Sequence, residues 1–435
     1  WVIPFIGILL SIAVFPLVAP TFWHHHFGKV SLFWALSLVG PFLLKEGLEI
    51  TVYELLHVTL LEYMPFIILL LALFTISGGV RLTGTLVGTP IVNSLIILVG
   101  TILASWMGTT GAAMLLIRPL IRANMDRKNK VHVIVFFIFL VANIGGSLTP
   151  LGDPPLFLGF LKGVDFFWTT KAMLLPMLFM VVSLLGIFFM LDSYYYKKEN
   201  IQPGIKPAAD HKLGLEGTLN LGMLLGVISA VLLSGFWKPH VTLYVYHVHL
   251  ELQNIVRDIL LLSLTYLSWT MTPMTIREEN EFNWFPIVEV GKLFAGIFVT
   301  IIPAIAILKA GSQGALATVV ESVSNDNGPV NIMYFWLTGI LSSFLDNAPT
   351  YLVFFNTAGG DPGLLMGELY QTLLAISTGA VFMGANTYIG NAPNFMVKSI
   401  SESAGIEMPS FFGYLFKWSL PILFPLFIVV GLIFI

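Results

Sequence analysis

The sequence predicts an all-α polytopic membrane protein made of two inverted repeats of five crossings, each repeat carrying a re-entrant hairpin and a broken helix. Three observations lead there. Hydrophobic residues make up 57% of the 435 and charged residues only 10%, against about a quarter charged in ordinary soluble domains. The apolar residues run on continuously instead of alternating, which suits helices and excludes a barrel of period-two strands. The chain also aligns with itself at an offset of 238 residues.

At roughly 20 apolar residues per crossing, the runs place crossings near 1–19, 30–48, 62–80, 131–166, 172–193, 217–235, 252–273, 286–308, 369–400 and 410–433. The first, WVIPFIGILLSIAVFPLVAP, lacks a positive leading region and a small-residue cleavage pattern, so it reads as a spanning helix and not a signal peptide. Regions 90–121 and 328–358 each consist of an apolar run, a tip of small or polar residues and a shorter second run, the pattern of a re-entrant hairpin. Residues 194–216, YYYKKENIQPGIKPAADHKLGLE, are polar with Pro and Gly and form a cytoplasmic linker. They separate a first repeat over 1–193 from a second over 217–435.

The net charge of −3 excludes little, because in membrane proteins the placement of Lys and Arg carries the information. Arg81, Arg118, Arg122, Arg127, Lys128 and Lys130 flank the first hairpin, and Lys197, Lys198, Lys206 and Lys212 lie in the linker. Both regions are expected in the cytoplasm, with the lysine-free NTAGGDPGLLMGELY outside and the protein multi-pass in the inner, or plasma, membrane. The absence of cysteine excludes disulfides, thiolate metal sites and a thiol nucleophile. No basic tail or aromatic-basic patch suits nucleic acid.

The offset of 238 pairs Val92 and Asn93 with Val330 and Asn331, Ile102 and Leu103 with Ile340 and Leu341, and Ser105 with Ser343. It also pairs GGSLTPLGDPPLF, residues 145–157, with GANTYIGNAPNF through a shared G-x-x-T-x-x-G-x-x-P-x-F. Five crossings per half make the second copy run opposite to the first. Gly and Pro at these breaks free backbone groups that membrane depth tolerates only beside a buried or water-filled cavity. Half-helix ends, hydroxyls and carbonyls there suit a hard cation or a carboxylate.

Two carboxylates stand out, Asp153 in the first break and Asp346 in LSSFLDNAPTYL. An intramembrane acid costs at least ~2.5 kcal/mol at the bilayer centre and is a functional hypothesis by default. Asp153 pairs with Asn391 and Asp346 with Gly108, so each pseudo-symmetric pair keeps one acid and one neutral partner. Such half-sites can bind a cation and exchange it for protons; the structural alternative is that either Asp caps a half-helix. Thr149 and Thr387 are equivalent oxygen donors, and Ser147 and Asn386 lie beside them in the two breaks. His24, His25 and His26 read as an interfacial cluster, Arg257 and Asp258 as a helix-end pair, and Glu62 and Glu289 as interfacial or packing residues. His247 and His249 fall in an outer loop without zinc-ligand spacing.

The succession of hairpin tip, basic loop and a crossing broken at GGSLTPLGDPP, repeated as DNAPT and GANTYIGNAPN, resembles the ion transporter superfamily. That superfamily includes divalent-anion/sodium symporters, citrate transporters, arsenite permeases and D-type sodium/proton antiporters. The symporters' Ser-Asn-Thr tips correspond to Gly108, Thr109 and Thr110, then Asp346, Asn347 and Ala348. Their broken-crossing motif corresponds to Gly152–Leu156 and Gly390–Asn394. The acidic Asp-Asn tip resembles the D-type antiporters and implies Na⁺/H⁺ exchange, with Li⁺ as surrogate and no cofactor beyond the transported Na⁺ and H⁺. On this resemblance the ion-binding residues include Asp153, Asp346, Asn347 and Asn391, with Thr109 and Thr110 at the first tip. The resemblance also implies a scaffold of the first three crossings of each half, a transport domain of hairpins and breaks, and a homodimer. The alternative is Na⁺- or H⁺-coupled uptake of citrate or a dicarboxylate. An intramembrane aspartyl protease is remote, since Pro150 stands where its Gly-x-Gly-Asp motif needs glycine.

Overall fold

A computed structural model of the protein describes residues 1–199, 213–314, 316–325 and 328–435. Most of the expected linker, 200–212, lies outside the described residues. The first half contains α1 (Ile3–Val18), α2 (Pro20–Val58), α3 (Met64–Ser77), α4 (Pro90–Met107), α5 (Thr109–Ala123), α6 (Val131–Leu140), α7 (Pro154–Leu161) and α8 (Phe166–Lys198). The second opens with α9 (Leu219–Phe236), α10 (Leu252–Met271), α11 (Met274–Glu279), α12 (Phe285–Thr300), α13 (Ile302–Lys309) and α14 (Ala317–Val323). It continues with α15 (Asn331–Phe344), α16 (Asn347–Thr357), α17 (Pro362–Met366), α18 (Tyr370–Met383), α19 (Ala392–Ser403), α20 (Phe411–Tyr414) and α21 (Leu420–Ile433). Among the described residues the strands are three antiparallel pairs, Arg81–Thr83 with Gly214–Glu216, Thr242–Val245 with Val248–Glu251 and Ser324–Asn325 with Gly328–Pro329. His249 thus sits in the two-stranded hairpin between α9 and α10.

Among the described residues, five helical runs are long and apolar enough to cross a membrane alone: Pro20–Ser77, Pro90–Met107, Phe166–Lys198, Leu219–Phe236 and Phe411–Ile433. The pair α12 and α13, bent by 42°, makes a sixth. The ten expected crossings therefore overstate the self-sufficient spans. Helix α1 and the pieces on either side of each break are short, and α10 carries Gln253, Asn254, Arg257 and Asp258 in its first turns. Boundaries move as well. The crossings expected at 30–48 and 62–80 belong to one continuous helical run that bends at Gly47, whose φ of +84° suits a residue without Cβ. The crossing expected at 172–193 begins at Phe166, because the preceding element ends at Leu161.

The two elements that lead into the breaks lie in the middle of the core. His132–Leu140 in α6 and Thr372–Met383 in α18 are buried on every face; α6 is apolar almost all round, while α18 also buries Thr372, Ser377 and Thr378. After α6 and α18 the chain makes short 3₁₀ turns, Ile144–Ser147 and Gly384–Asn386, before resuming as α7 and α19. Each break folds onto the hairpin limb before it through hydrogen bonds that recur at the offset of 238. Ser105 Oγ donates to Gly145 O at 2.5 Å and Ser343 Oγ to Met383 O at 2.9 Å. Thr149 and Thr387 donate their hydroxyls to Ser105 O and Ser343 O, and accept from Leu151 N and Ile389 N, both at 3.2 Å. Two glycine pairs permit the tight crossing: a Cβ on Gly152 would strike the Gly146 carbonyl, and one on Gly390 the Gly384 carbonyl.

Candidate functional site

Asp153 immediately precedes α7 and is 1% exposed. Its extended backbone, φ −139° and ψ 140°, follows from the proline after it, which disfavours the helical region for the preceding residue. A capping carboxylate accepts from the second or third amide of its helix; the second residue here is Pro155, which has none, and the amide of the third, Leu156, donates to the Asp153 backbone carbonyl at 3.1 Å. The side chain makes no cap and turns across the molecule instead. Its Oδ1 accepts from Thr109 Oγ1 at 3.2 Å and from Asn391 Nδ2 at 2.8 Å. Its Oδ2 accepts from Asn347 Nδ2 at 2.5 Å. The first hairpin tip, the second hairpin tip and the second break thus converge on one carboxylate set in the first break.

Asp346 behaves differently, and the local sequence says why. In Asp-Asn-Ala the second helical residue keeps its amide, and Ala348 N donates to Asp346 Oδ1 at 3.0 Å. Asp346 therefore caps α16 in the structural manner, and no hydrogen bond joins it to Asp153. Its φ of +35° is unusual for a residue other than glycine; its repeat mate Gly108 takes +81° at the first tip.

The other candidates divide. Thr109, Thr110 and Asp153 line a cleft of about 80 Å³ between the hairpin tip, the first break, α19 and the helices α3 and α12. Leu69, Leu73, Phe74, Ile287, Val290 and Met396 make its remaining wall largely apolar, and among the described residues no Lys, Arg or His lines it. The Thr149 and Thr387 hydroxyls are engaged with backbone, and Ser147 Oγ donates to Ile144 O at 2.8 Å. Asn386 Nδ2 donates to Ser343 Oγ at 3.0 Å.

Sequence reasoning missed Asn143 and Asn394. Asn143 Nδ2 donates to Asn394 Oδ1 at 2.7 Å, and Asn394 Nδ2 donates to Gly384 O and Thr387 O at 2.9 and 2.8 Å. The Asn143 and Asn347 Oδ1 atoms are buried without a hydrogen-bond partner, a state that costs about 1–3 kcal/mol per group unless something fills it. Asn143 stands two residues before the Gly-Gly that opens the first break, so its amide in an apolar run was a readable signal. A second missed cluster ties the base of the first hairpin to α6 and α8. Asn93 Nδ2 donates to Asp192 Oδ2 at 2.9 Å, His132 Nε2 lies 2.8 Å from Asp192 Oδ1, and Arg127 Nη1 pairs with that oxygen at 2.5 Å. His132 and Asp192 were visible as polar residues inside the runs VHVIVFF and FFMLDSYYY.

Membrane-length apolar helices packed around a buried, broken-helix carboxylate put this chain in the class of polytopic membrane proteins that carry solutes. It belongs to the family described as "Putative citrate transport", whose model matches residues 1–435. No curated protein matches the chain.

Proposed function

We propose that this protein is a cation-coupled carboxylate transporter, with citrate as the carried anion and Na⁺ or H⁺ as the coupling ion at Asp153. The observation that carries the reading is that every group bonded to the Asp153 carboxylate is a neutral amide or hydroxyl. Among the described residues no Lys, Arg or His bonds to it. A substrate carboxylate 4 Å from an ionised Asp153 would meet roughly 4 kcal/mol of repulsion at an effective dielectric constant of 20. A cation or a proton at the site removes that barrier and so makes substrate binding conditional on ion binding. The unpartnered Asn143 and Asn347 oxygens suit a hard monovalent cation beside the carboxylate. The expectation from sequence put Na⁺/H⁺ antiport first; the family's description favours carboxylate transport.

The paired hydrogen bonds at Ser105 and Ser343, and at Thr149 and Thr387, support reading the two halves as inverted repeats with re-entrant hairpins. On that reading the first three crossings of each half form a scaffold, and hairpins and breaks form the moving part. The cleft reaches toward the ends of α3 and α12 near Arg81 and Arg118, the Lys- and Arg-rich side that the positive-inside rule makes cytoplasmic. The state is then inward-open, in a homodimer of the inner or plasma membrane.

Na⁺/H⁺ antiport remains a second reading, favoured by one observation: among the described residues the cleft is lined by an acid and by no basic residue. Both readings are tested in proteoliposomes by following labelled citrate uptake and internal pH under imposed Na⁺ and H⁺ gradients. Ion-dependent citrate accumulation supports carboxylate transport. Proton efflux on adding Na⁺, with no citrate uptake under any gradient, overturns it in favour of antiport.

A further inference from the structure

Among the described residues, two ion pairs join the proposed scaffold to the hairpins and broken crossings. Arg118 of α5 pairs with Glu281 at 3.0 Å, and Lys162, just past α7, pairs with Glu62 at 2.5 Å. They lie at opposite ends of the molecule. Leu73 of α3 packs at the level of Gly108 in the first hairpin tip, and Gly111 faces Ser77 farther along α3. From the tip, α5 carries the chain nine residues to Arg118, about 13 Å at 1.5 Å per residue. From Asp153, α7 carries it nine residues the other way, also about 13 Å, to meet Glu62 near the opposite end of α3. The cleft reaches toward the Arg118 end, so the Glu62–Lys162 pair lies across the side that the cleft does not reach.

The Glu62 site is built to change partners. Glu62 sits in a π-helical turn, Thr59–Tyr63, between α2 and α3, an irregularity found mostly as single turns at functional positions. One carboxylate oxygen meets the Lys162 ammonium while the other, Oε2, is buried with no partner. A half-satisfied buried carboxylate recovers hydration when it is released. Its attachment to Lys162 is therefore poised against separation.

We propose that Glu62 and Lys162 form a latch that seals the side of the transport path away from the cleft and parts when that side opens. The proposal rests on the alternating-access reading above. In this 435-residue chain, which contains no cysteine, Leu158→Cys places one thiol at a buried position on α7, about a turn from Lys162 toward Asp153. Labelling by a membrane-impermeant maleimide is followed in proteoliposomes, with reagent on the side away from the Lys- and Arg-rich loops. Glu62→Gln should raise the labelling rate about tenfold, equivalent to 1.4 kcal/mol in the opening equilibrium. The reversed pair, Glu62→Lys with Lys162→Glu, should bring it back near the unaltered rate. Lys162→Met reports on the same pair from the other partner should Glu62→Gln not fold. Unchanged labelling in Glu62→Gln or Lys162→Met, or a reversed pair as open as the single variants, overturns the latch. The labelling needs no transport, so a failure of the citrate reading would appear separately, as absent uptake.

Discussion

Asn347, the first residue of α16, donates its amide to Asp153 at 2.5 Å across 194 residues of sequence. The contact joins the second hairpin to the first break. It makes the state of the acid, ionised, protonated or cation-bound, something that both halves of the molecule share. Four expectations follow from this arrangement and its neighbours.

Asp153→Asn removes the one charge of the convergence and keeps its shape. Hydrogen bonds to charged groups contribute about 1.5–3 kcal/mol, so apparent affinity for the coupling ion should fall roughly 10- to 100-fold. The protein should still elute as a folded species in detergent. Citrate uptake titrated against Na⁺ and against pH checks this; unaltered ion dependence would move the coupling site elsewhere.

If Na⁺ and H⁺ compete for Asp153, reciprocity requires bound Na⁺ to displace protons with the same coupling free energy by which protons weaken Na⁺. In the range where the carboxylate is protonated, apparent Na⁺ affinity should rise by up to about tenfold per pH unit, because one proton competes. It should level off once the group is ionised. Calorimetric Na⁺ titrations in buffers of different ionisation enthalpy measure both the slope and the protons released. A flat profile would exclude competition.

Asp346 caps α16 through Ala348 N, and its positive φ matches the conformation that Gly108 adopts without strain. Asp346→Asn preserves an acceptor for the cap and should keep both thermal stability and uptake within about threefold of wild type, since cap exchange among Asp and Asn is nearly neutral. Asp346→Val loses the cap and adds a β-branch at positive φ, costing roughly 2–3 kcal/mol. Melting in detergent alongside uptake separates the roles. A stable Asp346→Asn protein without transport would show that Asp346 serves the ion site as well as the cap.

Gly152→Ala and Gly390→Ala should each disrupt folding, by about 1–3 kcal/mol or more, because an added Cβ meets a backbone carbonyl that cannot yield. The repeat predicts similar losses in both halves. Monodispersity on size-exclusion chromatography reads this directly, and a tolerated alanine at either position would show that its break can relax.

Much of this was readable from residue order. Continuous apolar runs and scarce charge settled a helical membrane protein, because lipid leaves the backbone no other open option. The offset of 238 located both breaks and both hairpin tips, because Gly, Pro and hydroxyl residues there answer to local backbone geometry. The difference in capping is also written locally: Pro155 offers Asp153 no amide at the second helical position, and Ala348 offers one to Asp346. What residue order left open was which distant groups meet. That Asp153 gathers Thr109, Asn347 and Asn391, that Asn143 joins Asn394, and that Glu62 finds Lys162 depends on how the two halves pack. Asparagine, threonine and lysine side chains carry no periodic signal of their own, and each is equally at home capping a turn, facing water or meeting a carboxylate. The tertiary structure decides among these, since a buried polar group must find its partner wherever the fold brings one.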